Sequence, residues 1–162
     1  MIVGVDFDRV LFDTDRFNRE IKEKTGMHHV EADVYDDNGN YSPEKHADLC
    51  GVDPEELYEF VEENASRFLY PDVGRLESIE HELWLVTRGK ERFQKAKIRG
   101  SGVESLFEKI VVVEKGSKDR GIDFLIDDRE EEIENADIDG YCLDRSSETL
   151  GDAVEKVKQL ET

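Results

Sequence analysis

Residues 2–8 read Ile-Val-Gly-Val-Asp-Phe-Asp, a short apolar run that ends in two carboxylates separated by one phenylalanine. An apolar run without polar alternation has the character of a strand buried on both faces, as in a parallel sheet. Ligands of open parallel sheets gather at the carboxyl ends of the strands. Asp6 and Asp8 therefore arrive together where a ligand would sit. Runs of the same kind recur at 83–87, 109–113 and 124–127, with a weaker one at 140–143. Segments with helical patterning, 90–99, 130–136 and 148–160, lie between or after the later runs. Alternating strand and helix predicts a three-layer α/β domain, a Rossmann-like parallel sheet with helices on its faces.

The first two strands are separated by about 75 residues, far more than one crossover helix needs. Within that stretch, Ser42-Pro43-Glu44 and Asp53-Pro54-Glu55-Glu56 each put a capping side chain before a proline suited to the first helical position, with acids following. Leu57, Phe60, Val61 and Phe68 recur at helical spacing after the second cap. The expected organisation is a core of residues 1–14 and 73–162 with a small helical insert at 15–72. No repeat, low-complexity tract or Pro/Ser-rich linker suggests two independent domains.

The formal charge is −19, from 41 acidic against 22 basic side chains. The mean surface field repels nucleic acid and anionic lipid, so neither is an expected partner. The same acidity suits a protein working in concentrated salt, where screening weakens self-repulsion. Arg88, Lys90, Arg92, Lys95, Lys97 and Arg99 form one local basic segment, read as a helix face that balances the acids rather than a polyanion site. Cys50 and Cys142 lack a metal-like or disulfide-framework pattern and are expected to be reduced thiols. With no basic leader and no long apolar stretch, the expectation is a soluble cytoplasmic protein without a membrane span.

The run at 124–127 also ends in paired carboxylates, Asp127 and Asp128, followed by Arg129. Two acidic pairs at strand ends make a site for a hard cation, and oxygen ligands with water and substrate phosphate suit Mg²⁺. A third strand ends Thr87-Arg88-Gly89, offering a hydroxyl and backbone amides to a phosphoryl oxygen. Lys115 and Lys118 precede the 124–127 run, and either could neutralise a phosphoryl group and its nucleophile.

In order along the chain, DFDRVLFDT, LVTRG, a lysine and LIDDR resemble the four motifs of phosphatases in the haloacid dehalogenase (HAD) superfamily. The resemblance implies a HAD-like core and a Mg²⁺-dependent hydrolysis of phosphate monoesters on small phosphorylated metabolites through an aspartyl-phosphate. It implies Asp6 as nucleophile, Asp8 as general acid and base, and Thr87 and Lys118 as phosphoryl-binding groups; Arg88, next to Thr87, is a further substrate-binding candidate. Lys118, with Lys115 competing, would be the charge stabiliser. The metal would be held by Asp6, by the Asp8 position through its backbone carbonyl, and by Asp127 and Asp128, with Asp128 the favoured direct ligand. The insert would be a helical cap. The family usually has a small residue where this chain has Arg9, which could point to solvent or to substrate.

At a reference pKa of about 3.9, Asp8 would be protonated about one part in a thousand at pH 7, so a raised pKa and a slightly acidic rate optimum are expected. Arg16, Arg19, His28, His29, Tyr35 and His46 are the candidate substrate selectors of the insert. Asp36-Asp37-Asn38-Gly39-Asn40 lacks the acidic spacing of a calcium loop and is read as a polar turn.

Overall fold

A computed structural model of the protein describes residues 1–26 and 33–160. Five strands, β1 (Ile2–Val5), β2 (Glu82–Arg88), β3 (Lys109–Val113), β4 (Phe124–Asp127) and β5 (Asp139–Cys142), form one sheet in the order β3-β2-β1-β4-β5, with every pairing parallel. The chain builds outward from β1 to β2 and β3, then crosses back to β4 on the other side. The switch of direction therefore lies between β1 and β4.

Both faces are covered, which is why the strands read as continuous apolar runs. Val3, Val5, Leu83, Leu85, Phe124 and Ile126 point to one face, beneath Phe93, Ala96 and Ile98 of α4 (Glu91–Ser101) and Ala153, Val154 and Val157 of α6 (Leu150–Leu160). Val86, Val113 and Leu125 point to the other, against Ile133 and Ala136 of α5 (Glu130–Ala136).

The stretch between β1 and β2 carries α1 (Thr14–Thr25), α2 (Pro43–Cys50) and α3 (Pro54–Asn64). Ser42 caps α2 by accepting from the Lys45 amide, and Asp53 caps α3 by accepting from the Glu55 amide, each ahead of the proline. Phe68 is not on α3 as its spacing suggested: the helix ends at Asn64, and Phe68 belongs to a 3₁₀ turn, Ala65–Phe68. Phe17 and Tyr58 of these helices share one hydrophobic cluster with Phe93 of α4 and Val5 of β1, so the insert and the sheet face have a common core. Arg145 joins the two connections to the insert: its guanidinium donates to the Val10 carbonyl at 2.6 and 3.0 Å and to Asp72 at 2.7 and 2.8 Å. Both cysteines are free thiols. No described helix is long and apolar enough to cross a membrane.

Candidate active site

The Asp6 amide still donates to the Ile126 carbonyl at 2.9 Å, so β1 is held against β4 up to this residue. The chain then turns sharply. The Phe7 carbonyl accepts from the amides of Val10, Leu11 and Phe12, and the Phe7 ring stacks on Phe12 with centroids 4.8 Å apart. Alternation along the chain drives Phe7 into the core and leaves Asp6 and Asp8 lining a cavity of about 470 Å³. Arg9 occupies the left-handed region at φ 63°, where a residue with a Cβ is strained and glycine is not. Its side chain is half exposed at the cavity rim and pairs with Asp15 at 3.0 Å.

Lys118 lies under the cavity, 2 % exposed, with its ammonium 3.0 Å from Asp6, 2.6 Å from Asp127 and 3.5 Å from Glu132. Burial alone would discharge such a lysine, but Asp6 and Asp127 outweigh it, and its proton affinity is raised. Lys115 is exposed, so Lys118 is the lysine brought to the strand-end acids. Glu132 was not singled out by the sequence, where it looks like any of three successive glutamates at a helix start. In the fold it faces inward and takes a two-pronged bond from Arg88, at 2.8 and 2.9 Å. Despite burial, Arg88 and Lys118 hold its carboxyl below the usual range. Arg88, expected to bind substrate, thus lines the cavity with its guanidinium committed to Glu132 and, at 2.6 Å, to the Gly116 carbonyl.

Thr87 is also placed differently from the expectation. It is fully buried, its hydroxyl accepts from Gln94 Nε2 at 2.7 Å, and the following Gly89 amide donates to the Val113 carbonyl. Continued pairing of β2 with β3 uses the amide that the sequence left available.

Asp8 departs furthest. Its carboxylate accepts from Lys97 Nζ at 2.7 Å, Gln94 Nε2 at 2.9 Å and the Thr14 hydroxyl at 2.9 Å. Burial pushes its pKa up, but Lys97, Gln94 and Thr14 more than reverse this, and the net shift is downward. The expected upward shift is corrected, because three donors stabilise the charged form. The acidic optimum loses that basis in the substrate-free site. The Asp8 carboxylate is likewise spent on these partners and does not join the metal-type cluster.

That cluster is Asp6, Asp127 and Asp128, each offering one carboxylate oxygen within 4.8 Å of the others. Burial pushes the Asp6 carboxyl well above the usual range; Lys118 opposes this, while Asp127, Asp128 and Asp8 add to it. Asp128 is raised too, by burial first and by Asp127, with its hydrogen bond to Asp6 acting in the opposite direction. Acids crowded like this need protons or a cation between them. An all-oxygen donor set, with no thiolate or imidazole in the cluster, fits a hard divalent ion such as Mg²⁺.

The cavity roof comes from the insert: Asn18 of α1 and the segment of Tyr35, Gly39, Asn40 and Tyr41. Asp36 Oδ1 accepts from the amides of Asn38 and Asn40, with Gly39 at φ 79°, so the 36–40 stretch is a polar turn. It is tied down by Asn40 Nδ2 donating to the Glu114 carbonyl at 2.9 Å, and the start of α2 after it is held by the Lys90–Glu44 pair at 2.6 Å. Of the candidate selectors, Tyr35 lines the cavity. Arg16 is exposed and donates to the Arg67 carbonyl, and Arg19 is exposed. His46 is buried against the Tyr41 hydroxyl. His28 and His29 lie outside the described residues.

No family model and no curated protein sequence matches the chain. Solved structures do. A haloacid dehalogenase-like family hydrolase from Xanthomonas campestris superposes with TM-score 0.66 at 15 % identity, over 99 % of this chain and 91 % of its own. A candidate β-phosphoglucomutase from Thermotoga maritima gives 0.60 at 18 % identity, over 98 % and 99 %. A candidate HAD-hydrolase from Bacillus subtilis, YfnB, solved bound to magnesium, gives 0.55 at 15 % identity, over 86 % and 84 %. The fold is that of the HAD-like hydrolases, a five-stranded parallel Rossmann-like sheet with helices on both sides.

Proposed function

We propose that the protein is a Mg²⁺-dependent phosphoric monoester hydrolase acting on a small phosphorylated metabolite through Asp6. The observation that carries this reading is the convergence, at the switch point of the sheet, of a buried lysine and three carboxylates beneath one cavity: Lys118 lies 3.0 Å from Asp6, and Asp6 clusters with Asp127 and Asp128. A lysine and a hard cation are what a phosphate dianion needs beside an anionic nucleophile.

Asp6 attacks phosphorus in line, forming a new P–O bond as the ester P–O bond breaks. The ester oxygen leaves with the bonding pair and takes a proton from Asp8. A water then returns a proton to Asp8 and attacks the aspartyl-phosphate, releasing inorganic phosphate and restoring Asp6. Three donors hold Asp8 charged in the free site, and the negative charge of an arriving phosphate dianion would raise its affinity for a proton. Asp6, the Asp8 backbone carbonyl, Asp127 and Asp128 would hold Mg²⁺, which would supply positive charge against the phosphoryl oxygens. Lys118 shares that task, and its burial between Asp6 and Asp127 keeps its ammonium aimed at the nucleophile. Glu132, clamped by Arg88, limits how far Lys118 can swing. The insert at 15–72 acts as a cap that limits water and substrate size above the cavity.

The test is release of p-nitrophenol from p-nitrophenyl phosphate with and without Mg²⁺, alongside halide release from a 2-halo acid. The expected outcome is Mg²⁺-dependent phosphatase turnover, reduced by at least about 10³-fold in Asp6→Asn, and no halide. Equal phosphatase signals from both proteins would overturn the reading, and halide release that needs no metal would replace it.

A further inference from the structure

We propose that Lys97 and Gln94 of α4 are positioning residues that fix the Asp8 carboxylate for protonating the leaving group, so that Asp8, like Asp6, has a buried lysine against it. This rests on the phosphatase reading above and adds to it a second buried cation, on a different element from Lys118. Lys97 is only 4 % exposed. Its ammonium lies 4.6 Å from the Phe93 ring centroid and 5.5 and 5.8 Å from those of Phe12 and Phe7. Its carboxylate partner is Asp8 Oδ1 at 2.7 Å. An ammonium in an aromatic enclosure has few alternative positions, so the ion pair holds one orientation of the carboxylate. Gln94 holds the other oxygen: its Nε2 donates to Asp8 Oδ2 at 2.9 Å and also to Thr87 Oγ1 at 2.7 Å. Residues 94 and 97 are one helical turn apart, so α4 grips both carboxylate oxygens from one face.

The division of labour is chemical. Lys118 faces Asp6 and Asp127, where the P–O bond to the enzyme forms. Lys97 faces Asp8, where the ester oxygen collects a proton as its bond to phosphorus breaks. A carboxylic acid can deliver that proton only from within hydrogen-bond reach of the ester oxygen, so a carboxyl free to rotate is a poorer acid catalyst even when it is intact.

The experiment compares two leaving groups in the Mg²⁺-loaded protein. p-Nitrophenolate departs well without a proton, whereas an alkoxide from an alkyl phosphate such as glycerol phosphate does not. In Lys97→Met, which keeps the aliphatic stem against the three phenylalanines, kcat on the alkyl phosphate should fall about 100-fold. The rate on p-nitrophenyl phosphate should fall less than about 5-fold. Gln94→Met, which removes no charge, should show the same selectivity with smaller amplitude, and covers the case in which Lys97→Met does not fold. In an Asp8→Asn background, adding Lys97→Met should cost nothing further on the alkyl phosphate. Equal losses on both substrates in both variants, or a full additional loss in the double variant, would overturn the assignment. Failure of the phosphatase reading itself is separate, because it would appear as no Mg²⁺-dependent turnover in the unsubstituted protein.

Discussion

At the scale of single residues, the site sets stability against the capacity to hold a cation. Asp6 and Asp128 have folded-state pKa values above their ordinary ones, chiefly through burial. A raised carboxyl pKa means the folded state binds more protons than the unfolded state in the window above about 3.9. Stability from these groups is therefore present at low pH and lost as pH rises through the folded values. Asp128→Asn removes one of the mutually repelling acids, so at neutral pH without metal it should raise the melting temperature by about 2–4 °C for each kcal/mol of repulsion relieved. Mg²⁺ bound as proposed should raise the melting temperature of the unsubstituted protein, and Asp128→Asn should largely abolish that rise. A lower melting temperature in metal-free Asp128→Asn would contradict the crowding argument. Asp6, Asp8, Asp127 and Asp128 were legible because each lies at or just beyond the end of an apolar run. Lys97 was not, because along the sequence it is one of six cations in a basic segment, and only the packing of α4 over Phe7 and Phe12 separates it from its solvated neighbours.

Among secondary-structure elements, the α3–α4 contact governs how the insert sits. Gly100 of α4 faces the backbone of α3: a Cβ built there would lie 2.6 Å from the Glu62 carbonyl oxygen and 2.9 Å from its Cα. On an isolated helix, Gly→Ala gains about 1 kcal/mol. Here the methyl group meets rigid backbone, and overpacking of this kind costs about 1–3 kcal/mol. Gly100→Ala should therefore shift the urea midpoint downward, and an upward shift would show that the two helices can separate freely. Sequence patterning located the strands and the two proline-led caps well. It misassigned Phe68 to α3 because periodicity cannot see that the helix gives way to a 3₁₀ turn after Asn64. Nor could it anticipate Arg145, whose role depends on two connections from distant parts of the chain passing beneath one guanidinium.

For the whole molecule, the shared hydrophobic cluster and the charge of −19 make separate predictions. Since Phe17, Tyr58 and Phe93 pack with the sheet face, the insert and core should melt together. Calorimetry should give a calorimetric enthalpy equal to the van't Hoff value, and two resolved transitions would mean that the insert is an independent unit. The acidic excess should make the melting temperature climb between about 0.1 and 1 M KCl as the Debye length shortens from about 10 to 3 Å. A flat response would indicate that paired charges already neutralise the surface. Arg88, Lys90, Arg92, Lys95 and Lys97 are each engaged by an acid, so the one basic segment of the sequence does not form an open cationic face.

The sequence by itself determined the α/β class, the strand ends that carry the acids, and the two proline-led helices between the first two strands. These follow from local signals: apolar runs, proline-led caps and carboxylates at fixed offsets from buried strands. Only the tertiary structure decided which lysine reaches Asp6, that Arg88 is held by Glu132, that Thr87 is closed off by Gln94, and that Asp8 is gripped from α4. Each of these is a contact between residues far apart in the chain or on different elements. Hydrogen bonds and ion pairs act over a few ångströms in space, and sequence distance does not reveal which partners come that close.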